Sequence, residues 1–113
     1  MQRLRSDFWV SAHLRRLGVE GVSAVLRRRG AAEAGAVFVK VDRLDGTCDL
    51  YGPAPQALIG VEDSGERRFG ALAVGASPLD AEERLSKEIR FDPDLWIVEI
   101  DDRPGRHFLD LAE

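Results

Sequence analysis

The sequence predicts an α+β domain in which two helices pack on a mainly antiparallel sheet of five or six strands. Helix start signals lie at Ser6 and Ser77, an Asp45-Gly46 pair marks a tight hairpin, and apolar runs at 36–41 and 95–100 have the composition of buried strands. The element order is α-β-β-β-β-α-β, with an optional last β-strand. Because each helix must bury one apolar stripe, we expect both helices on one face of the sheet.

The first helix is predicted over residues 7–17. Ser6 has the residue type of an N-cap, and Asp7 places a carboxylate in the first turn, where it complements the helix dipole. Gly18 ends the helix. One helical face carries Val10, Leu14 and Leu17, with Trp9 and His13 on its flank. We expect this face to contact the sheet.

Strands in the first half of the chain are predicted from alternation and from turn residues. Residues 22–28 alternate small or apolar positions with others, which favours a half-buried strand, and residues 29–35 are a connection. Residues 36–41 form a central strand, because five of the six are apolar. The Asp45-Gly46 turn then returns the chain as a partner strand over residues 48–51.

Prolines and glycines dominate the middle of the chain. Residues 52–55 contain two prolines, which cannot donate ladder hydrogen bonds, so we expect this segment to leave the sheet. A mobile loop is expected over 56–66, followed by a weaker strand over 67–73.

A second helix and one or two strands are predicted after residue 76. Ser77 is the N-cap, Pro78 occupies the first helical position, and Asp92-Pro93 ends the helix. The apolar positions Ala81, Leu85 and Ile89 form its buried stripe. Residues 95–100 are apolar enough for an inner strand, and residues 107–109 supply the optional last strand.

Size and composition fit one domain, residues 1–113, in the cytoplasm. Cys48 is the only cysteine, so no intramolecular disulfide can form, and no cysteine and histidine cluster has the spacing of a structural zinc site. No apolar segment has the length of a membrane span. Since no glycine pattern of a phosphate-binding loop precedes a helix, no cofactor is predicted, and no metal ion is predicted either.

Charge is distributed unevenly along the chain. Residues 1–30 contain seven arginines and two acids, a net charge of +5, whereas residues 31–113 contain nine basic and 18 acidic side chains, a net charge of -9. Such asymmetry marks a partner-binding surface in some proteins. The two segments can equally face each other within one fold. We favour this interpretation of the charge asymmetry over a partner-binding surface.

Three stretches resemble a known family: residues 6–12 (SDFWVSA), 40–46 (KVDRLDG) and 90–96 (RFDPDLW). They are similar to the bacterial domain of unknown function family 1491, small proteins typical of alphaproteobacteria. The resemblance covers nearly the whole chain, including residues 49–54 and 105–110, and departs mainly over 56–75. It implies an α+β fold and a cytoplasmic bacterial protein. It implies no activity and no catalytic residue.

The leading hypothesis is a non-catalytic binding or adaptor domain. It contacts a protein, an acidic ligand or a second copy of itself through an arginine-rich N-terminal surface or an exposed sheet edge. The candidate binding residues are Arg15, Arg16, Arg27, Arg28, Arg29, Tyr51 and His107. Nucleic-acid binding is a narrower option that is not favoured, because the isoelectric point is about 5.2 and no known binding motif occurs. No membrane contact is predicted.

The alternative hypothesis is a small hydrolase or metal-dependent enzyme. It would use His107 or His13 with nearby aspartates, since imidazole and carboxylate groups can share protons or bind a divalent ion. The candidate acids are Asp92, Asp94, Asp101 and Asp102. Their spacing matches no known loop, and neither histidine has an orienting acid at a motif spacing. Cys48 is expected to pack as a small apolar group.

Overall fold

The computed structural model describes residues 4–55 and 67–112 and has the predicted α+β fold. Its helices are α1 (Ser6–Val19) and α2 (Pro78–Phe91). Its strands are β1 (Ser23–Arg28), β2 (Val37–Asp42), β3 (Cys48–Pro53), β4 (Phe69–Ala76) and β5 (Trp96–Asp101). The loop predicted over 56–66 lies outside the described residues.

All five strands belong to one sheet in the order β1-β5-β2-β3-β4. The last strand, β5, lies between β1 and β2, antiparallel to β1 and parallel to β2. The β2–β3 and β3–β4 pairs are antiparallel, so the sheet is mainly antiparallel as predicted. The optional strand at 107–109 does not form in the described residues, where this part of the chain makes only a single parallel bridge between Leu111 and Phe69.

The two helices lie on opposite faces of the sheet, so the expectation of both on one face is wrong. Residues 37, 39 and 41 of β2 belong to a core with Val10 and Leu17 of α1. Phe38 belongs to a second core with Ala81 and Leu85 of α2. Because the side chains of a strand alternate between faces, a central strand that is apolar at successive positions needs a cover on both.

The start of α1 differs from the prediction, whereas the start of α2 agrees with it. Ser6 is fully buried, and its hydroxyl donates to the carbonyl of Gly35 at 2.6 Å, while Arg5 occupies the N-cap without a side-chain hydrogen bond. The connection after β1 therefore holds the beginning of α1. At α2, Ser77 Oγ accepts from the N–H of Asp80 at 3.1 Å, which confirms Ser77 as the N-cap.

Strand β3 continues through Gly52 and Pro53, which were expected to leave the sheet. Pro53 is exposed beside Phe69, and the ring of Phe38 lies so close to Gly52 that a Cβ there would be 2.8 Å from the ring. Glycine is therefore required at this position for packing. The β2–β3 turn forms at the predicted Asp45-Gly46 pair, where Gly46 has a φ of 88°.

Candidate functional site

The outward side of α1 carries apolar residues in addition to the apolar stripe that faces the core. We define the outer face of α1 as Phe8, Ala12, Arg15 and Val19, all exposed and spaced so that they follow one line along the helix. Phe8 is 56% exposed and Val19 is 79% exposed. They lie opposite Val10 and Leu17, which are buried. Core packing therefore does not account for the apolar residues of this face.

Arg15 and Arg16 lie on this side of the molecule, and neither forms an ion pair with an acid within residues 4–55 and 67–112. Arg15 is exposed in line with Phe8 and Val19. Arg16 is also exposed, and its guanidinium lies 5.0 Å from the centre of the Phe108 ring. An aromatic ring attracts a cation without neutralising its charge. The outer face of α1 is therefore apolar and positively charged.

Arg27 is neutralised within the fold. It forms ion pairs with Glu82 of α2 and Glu99 of β5, and Lys40 also donates to Glu82 at 2.7 Å. The hydrogen bond from Arg27, supported by Lys40 and opposed by burial, lowers the pKa of Glu82 to about 2. The side chain of Lys40 is only 8% exposed, so this ion network is part of the contact between α2 and the sheet.

Arg28 and Arg29 contact neutral groups. Arg28 donates to the carbonyl of Pro93 at 2.8 Å, and the guanidinium of Arg29 lies 5.3 Å from the centre of the Trp96 ring. These contacts hold the side chains without cancelling their charges. The arginine-rich segment is therefore partly internal, at Arg27, and partly uncompensated.

Tyr51 and His107, which the sequence did not connect, lie together on the face of the sheet that α1 covers. Their ring centres are 4.6 Å apart. His13 joins the group, because its ring stacks on Trp9 at 4.6 Å and its Nε2 lies 2.8 Å from the carbonyl oxygen of His107. The five arginines are not part of this cluster, apart from the contact of Arg16 with the adjacent Phe108.

Both histidines are held by hydrogen bonds to the backbone. His107 Nδ1 accepts from the N–H of Leu109 at 2.9 Å, so it carries no proton, and His13 Nε2 donates to the carbonyl of His107. Burial lowers the pKa of His13 and also that of His107. Burial therefore favours the neutral form of both rings, and the hydrogen bond of His13 attaches α1 to the C-terminal segment.

None of the aspartates of the enzyme hypothesis bonds to a histidine within the described residues. Asp92 accepts from the N–H of Asp94 at the end of α2, where both serve the turn. Asp102 is buried and binds Arg106 through both carboxylate oxygens. Asp101 is exposed at the end of β5, on the side opposite the histidines, because its neighbour Ile100 points into the α1 core. The structure does not bring these groups together.

A different acidic group forms at Asp101. Its carboxylate lies with those of Asp42 and Glu99 in a set whose oxygens are all within 4.8 Å of one another. The cause is register, since Asp42 and Asp101 are direct partners in the parallel β2–β5 pair and Glu99 is two residues away on the same face. Sequence patterns alone do not give this register. Glu99 is already neutralised by Arg27 and Lys40, which reduces its attraction for a metal ion.

Of the residues on this side of α1, charge patterning in the sequence indicated Arg15 and Arg16 but not Phe8, Ala12 and Val19. Their signal was present as the i, i+4, i+7, i+11 spacing of residues 8, 12, 15 and 19.

An open groove of about 590 Å³ runs along α2 and is lined only by side chains of that helix. Neither helix has the length and apolar composition that crossing a bilayer takes, for the residues described.

Comparisons with known proteins give a family and solved structures. The family model described as protein of unknown function (DUF1491) matches residues 4–110. The solution structure of protein Atu0922 from A. tumefaciens is 40% identical, with a TM-score of 0.83, over 99% of this chain and 97% of that chain. The crystal structure of a DUF1491 family protein from Caulobacter crescentus CB15 is 37% identical, with a TM-score of 0.78, over 97% of this chain and 98% of that one. No curated protein matches.

Proposed function

Because this chain belongs to the DUF1491 family, whose function is unknown, we propose from its geometry that it is a non-catalytic binding domain that docks a protein on the outer face of α1. The observation that carries the proposal is the exposure of Phe8 and Val19 on one line of a helix whose opposite side already fills the core. Single exposed apolar residues are ordinary. Apolar residues aligned along one helix face and flanked by charge are typical of a docking site.

The arginines favour a protein partner that carries acidic groups. Arg15 and Arg16 keep their charge at the centre of the face, so a partner with carboxylates there would gain complementary contacts. A nucleic acid is less favoured, because both ends of the face, Phe8 and Val19, are apolar and the whole chain has a net charge of -4. This charge also opposes binding to an anionic membrane.

Both sheet edges are weaker candidates for docking. The edge strand β1 changes register between Leu26 and Arg28, and an irregular, charged edge resists addition of another strand. The edge of β4 is partly occupied, because the N–H of Phe69 donates to Asp110 and the N–H of Ala112 donates to Phe69. The helix face has no such obstacle.

The enzyme hypothesis has weaker support. His13 and His107 each use one ring nitrogen for a backbone hydrogen bond, and none of the proposed aspartates bonds to either ring within the described residues. We place the domain, residues 1–113, in the cytoplasm, because Cys48 is a free, buried thiol and a reducing compartment keeps such a thiol reduced.

Site-specific crosslinking in the native cells tests the docking surface. A photoreactive benzophenone amino acid replaces Ala12 on the outer face of α1 or, as a control, Ser86 on the exposed side of α2. We expect a discrete protein adduct from position 12 and none from position 86. Phe8→Ser or Val19→Ser should abolish the adduct, whereas Val74→Ser, at an exposed position on β4, should leave it unchanged.

The free energy of unfolding of all three serine variants should be within about 0.5 kcal/mol of that of the parent chain, because the substitutions replace exposed side chains. Loss of the adduct can then be assigned to the face rather than to unfolding. Equal adducts from positions 12 and 86, or an adduct that survives Phe8→Ser and Val19→Ser together, would contradict docking on α1.

A further inference from the structure

We infer that the element of the partner that contacts this chain is an acidic amphipathic helix lying along α1. The inference rests on the proposed docking function and adds the chemistry and shape of the partner. It follows from the spacing of the outer face, from the small residue at its centre, and from the two arginines that have no acidic partner among the described residues.

The spacing of the outer face matches a helix. Residues 8, 12, 15 and 19 are separated by four, three and four positions, which is the repeat of a seam between two packed helices. From Phe8 to Val19 the face extends about 16 Å along the axis, or roughly three helical turns. A partner helix of similar length would contact the full seam.

Ala12 permits a close approach between the two helices. It lies between the large side chains of Phe8 and Arg15, and it is exposed. A small residue between two large ones forms the hole into which a side chain of the partner can insert. An apolar side chain there would contact Phe8 and the aliphatic part of Arg15.

The charge of the seam requires acidic groups on the partner. Arg15 lies within the seam and Arg16 beside it, while Asp7, the acid in the first turn of α1, is already paired with Arg5 at 3.1 Å. An apolar partner would remove water from these guanidinium groups without replacing it, which costs free energy. Glutamates flanking the apolar positions of the partner would avoid that cost.

A second copy of this chain fits the same face poorly. Two antiparallel α1 helices can place Phe8 against Val19 of the other copy and Ala12 against Arg15. This arrangement brings the Arg15 and Arg16 side chains of both copies to the centre, where like charges repel. Parallel pairing places each Arg15 beside its counterpart. An extended peptide gains nothing from α1 either, because the helix has already used its backbone hydrogen bonds.

Binding of two synthetic peptides tests the inference. Each has about 18 residues, is constrained to be helical and carries leucines at i, i+4, i+7 and i+11. One has glutamates at the flanking positions, and the other has lysines. By fluorescence anisotropy at moderate salt, we expect the glutamate peptide to bind about tenfold more tightly, with a difference that shrinks as salt rises.

Charge reversal in the chain provides the matched variants. Arg15→Glu with Arg16→Glu should invert the preference, so that the lysine peptide binds more tightly. Arg90→Glu, at an exposed arginine of α2, should leave the preference unchanged. Phe8→Ser should weaken both peptides equally. Equal binding of the two peptides, or a preference that survives the double reversal, would overturn the inference.

The Ala12 crosslink separates failure of this inference from failure of the docking surface. If the adduct is specific but the two peptides bind equally well, docking on α1 is supported and the inference of an acidic partner helix is overturned. An adduct of two copies of the chain overturns the inference in favour of a homodimer. Sedimentation of the chain with vesicles containing anionic lipid, abolished by Phe8→Ser, would overturn it in favour of a membrane surface.

Discussion

Helices α1 and α2 each have 14 residues and cover opposite faces of one sheet, yet they differ in what their outer sides carry. Between its two ends the solvent side of α2 is polar, with an ion pair between Arg84 and Glu88. Its exposed apolar residues, Leu79 and Phe91, lie at opposite ends of the helix, twelve positions apart, and therefore point in different directions. The exposed apolar residues of α2 therefore form no continuous line along the helix. The outer side of α1 carries Phe8 and Val19. Helix α1, in contrast, carries a second line of apolar residues in addition to the stripe that faces the core, and the fold does not need this second line.

The largest expected effect contrasts the inner and outer sides of α1. Leu17→Ala should lower the free energy of unfolding by about 2 to 5 kcal/mol, because Leu17 is fully buried and its loss leaves a cavity. Leu85→Ala should cost a similar amount on α2. Phe8→Ala should cost less than about 0.5 kcal/mol. Denaturant unfolding measures all three, and a large cost for Phe8→Ala would mean that the outer face of α1 stabilises the fold.

A smaller effect contrasts the two helix starts. Ser6→Ala removes the hydroxyl that donates to the buried carbonyl of Gly35, and an unsatisfied buried group costs about 1 to 3 kcal/mol. Ser77→Ala removes an exposed N-cap and should cost about 1 kcal/mol.

Thermal unfolding of the Ser6→Ala and Ser77→Ala variants measures which substitution lowers the stability more. A larger cost for Ser77→Ala than for Ser6→Ala would show that α1 does not depend on its attachment to the connection after β1. Ser86→Ala, at an exposed position within α2, is the control and should change little.

The smallest expected effect is on the pH dependence of the free energy of unfolding, which should differ between the two faces of the sheet. Burial lowers the pKa of His13 and of His107, so between the unfolded value near 6.5 and the lower folded values the unfolded chain binds more protons. Stability is therefore fully present above pH 6.5 and falls as the pH drops below it. On the α2 face the pKa of Glu82 is lowered from 4.5 to about 2, so its contribution is lost only between those values.

The free energy of unfolding measured from pH 7.5 to 3 should therefore fall in two stages. His13→Gln should reduce the first stage and leave the second, while Glu82→Gln should reduce only the second. The protection factor of the Leu109 amide, which donates to His107, should fall in the first stage once the intrinsic exchange rate at each pH is taken into account. A profile that is flat between pH 6.5 and 5.5 would mean that burial does not lower the pKa of the two histidines in the folded chain.

The sequence predicted the elements of the fold better than their arrangement. The Ser77-Pro78 helix start, the Asp45-Gly46 turn and the buried runs are local patterns, and each formed close to its expected place. The insertion of β5 between β1 and β2 depends on pairing across 59 to 78 residues, which no local pattern encodes. The opposite placement of the helices follows from that insertion. Ser6 was misassigned because its role depends on Gly35, a residue distant in sequence.

For the candidate site, sequence reasoning found the charged residues and missed the apolar ones. Arginines stand out in composition, so Arg15 and Arg16 were identified directly. Phe8 and Val19 look like ordinary helix residues until the structure gives their exposure. The proximity of Tyr51 and His107 was also hidden, because a segment without regular secondary structure carries His107 back over the sheet.

The inner position of β5 has a consequence for synthesis of the chain on the ribosome. Strands β1 and β2 emerge first, but each needs β5 as a neighbour, and β5 is completed only at Asp101. Until then the nascent chain exposes two strand edges that are open to incorrect pairing. Closing the sheet therefore joins distant segments late, which slows folding and gives chaperones that bind nascent chains a defined interval in which to act.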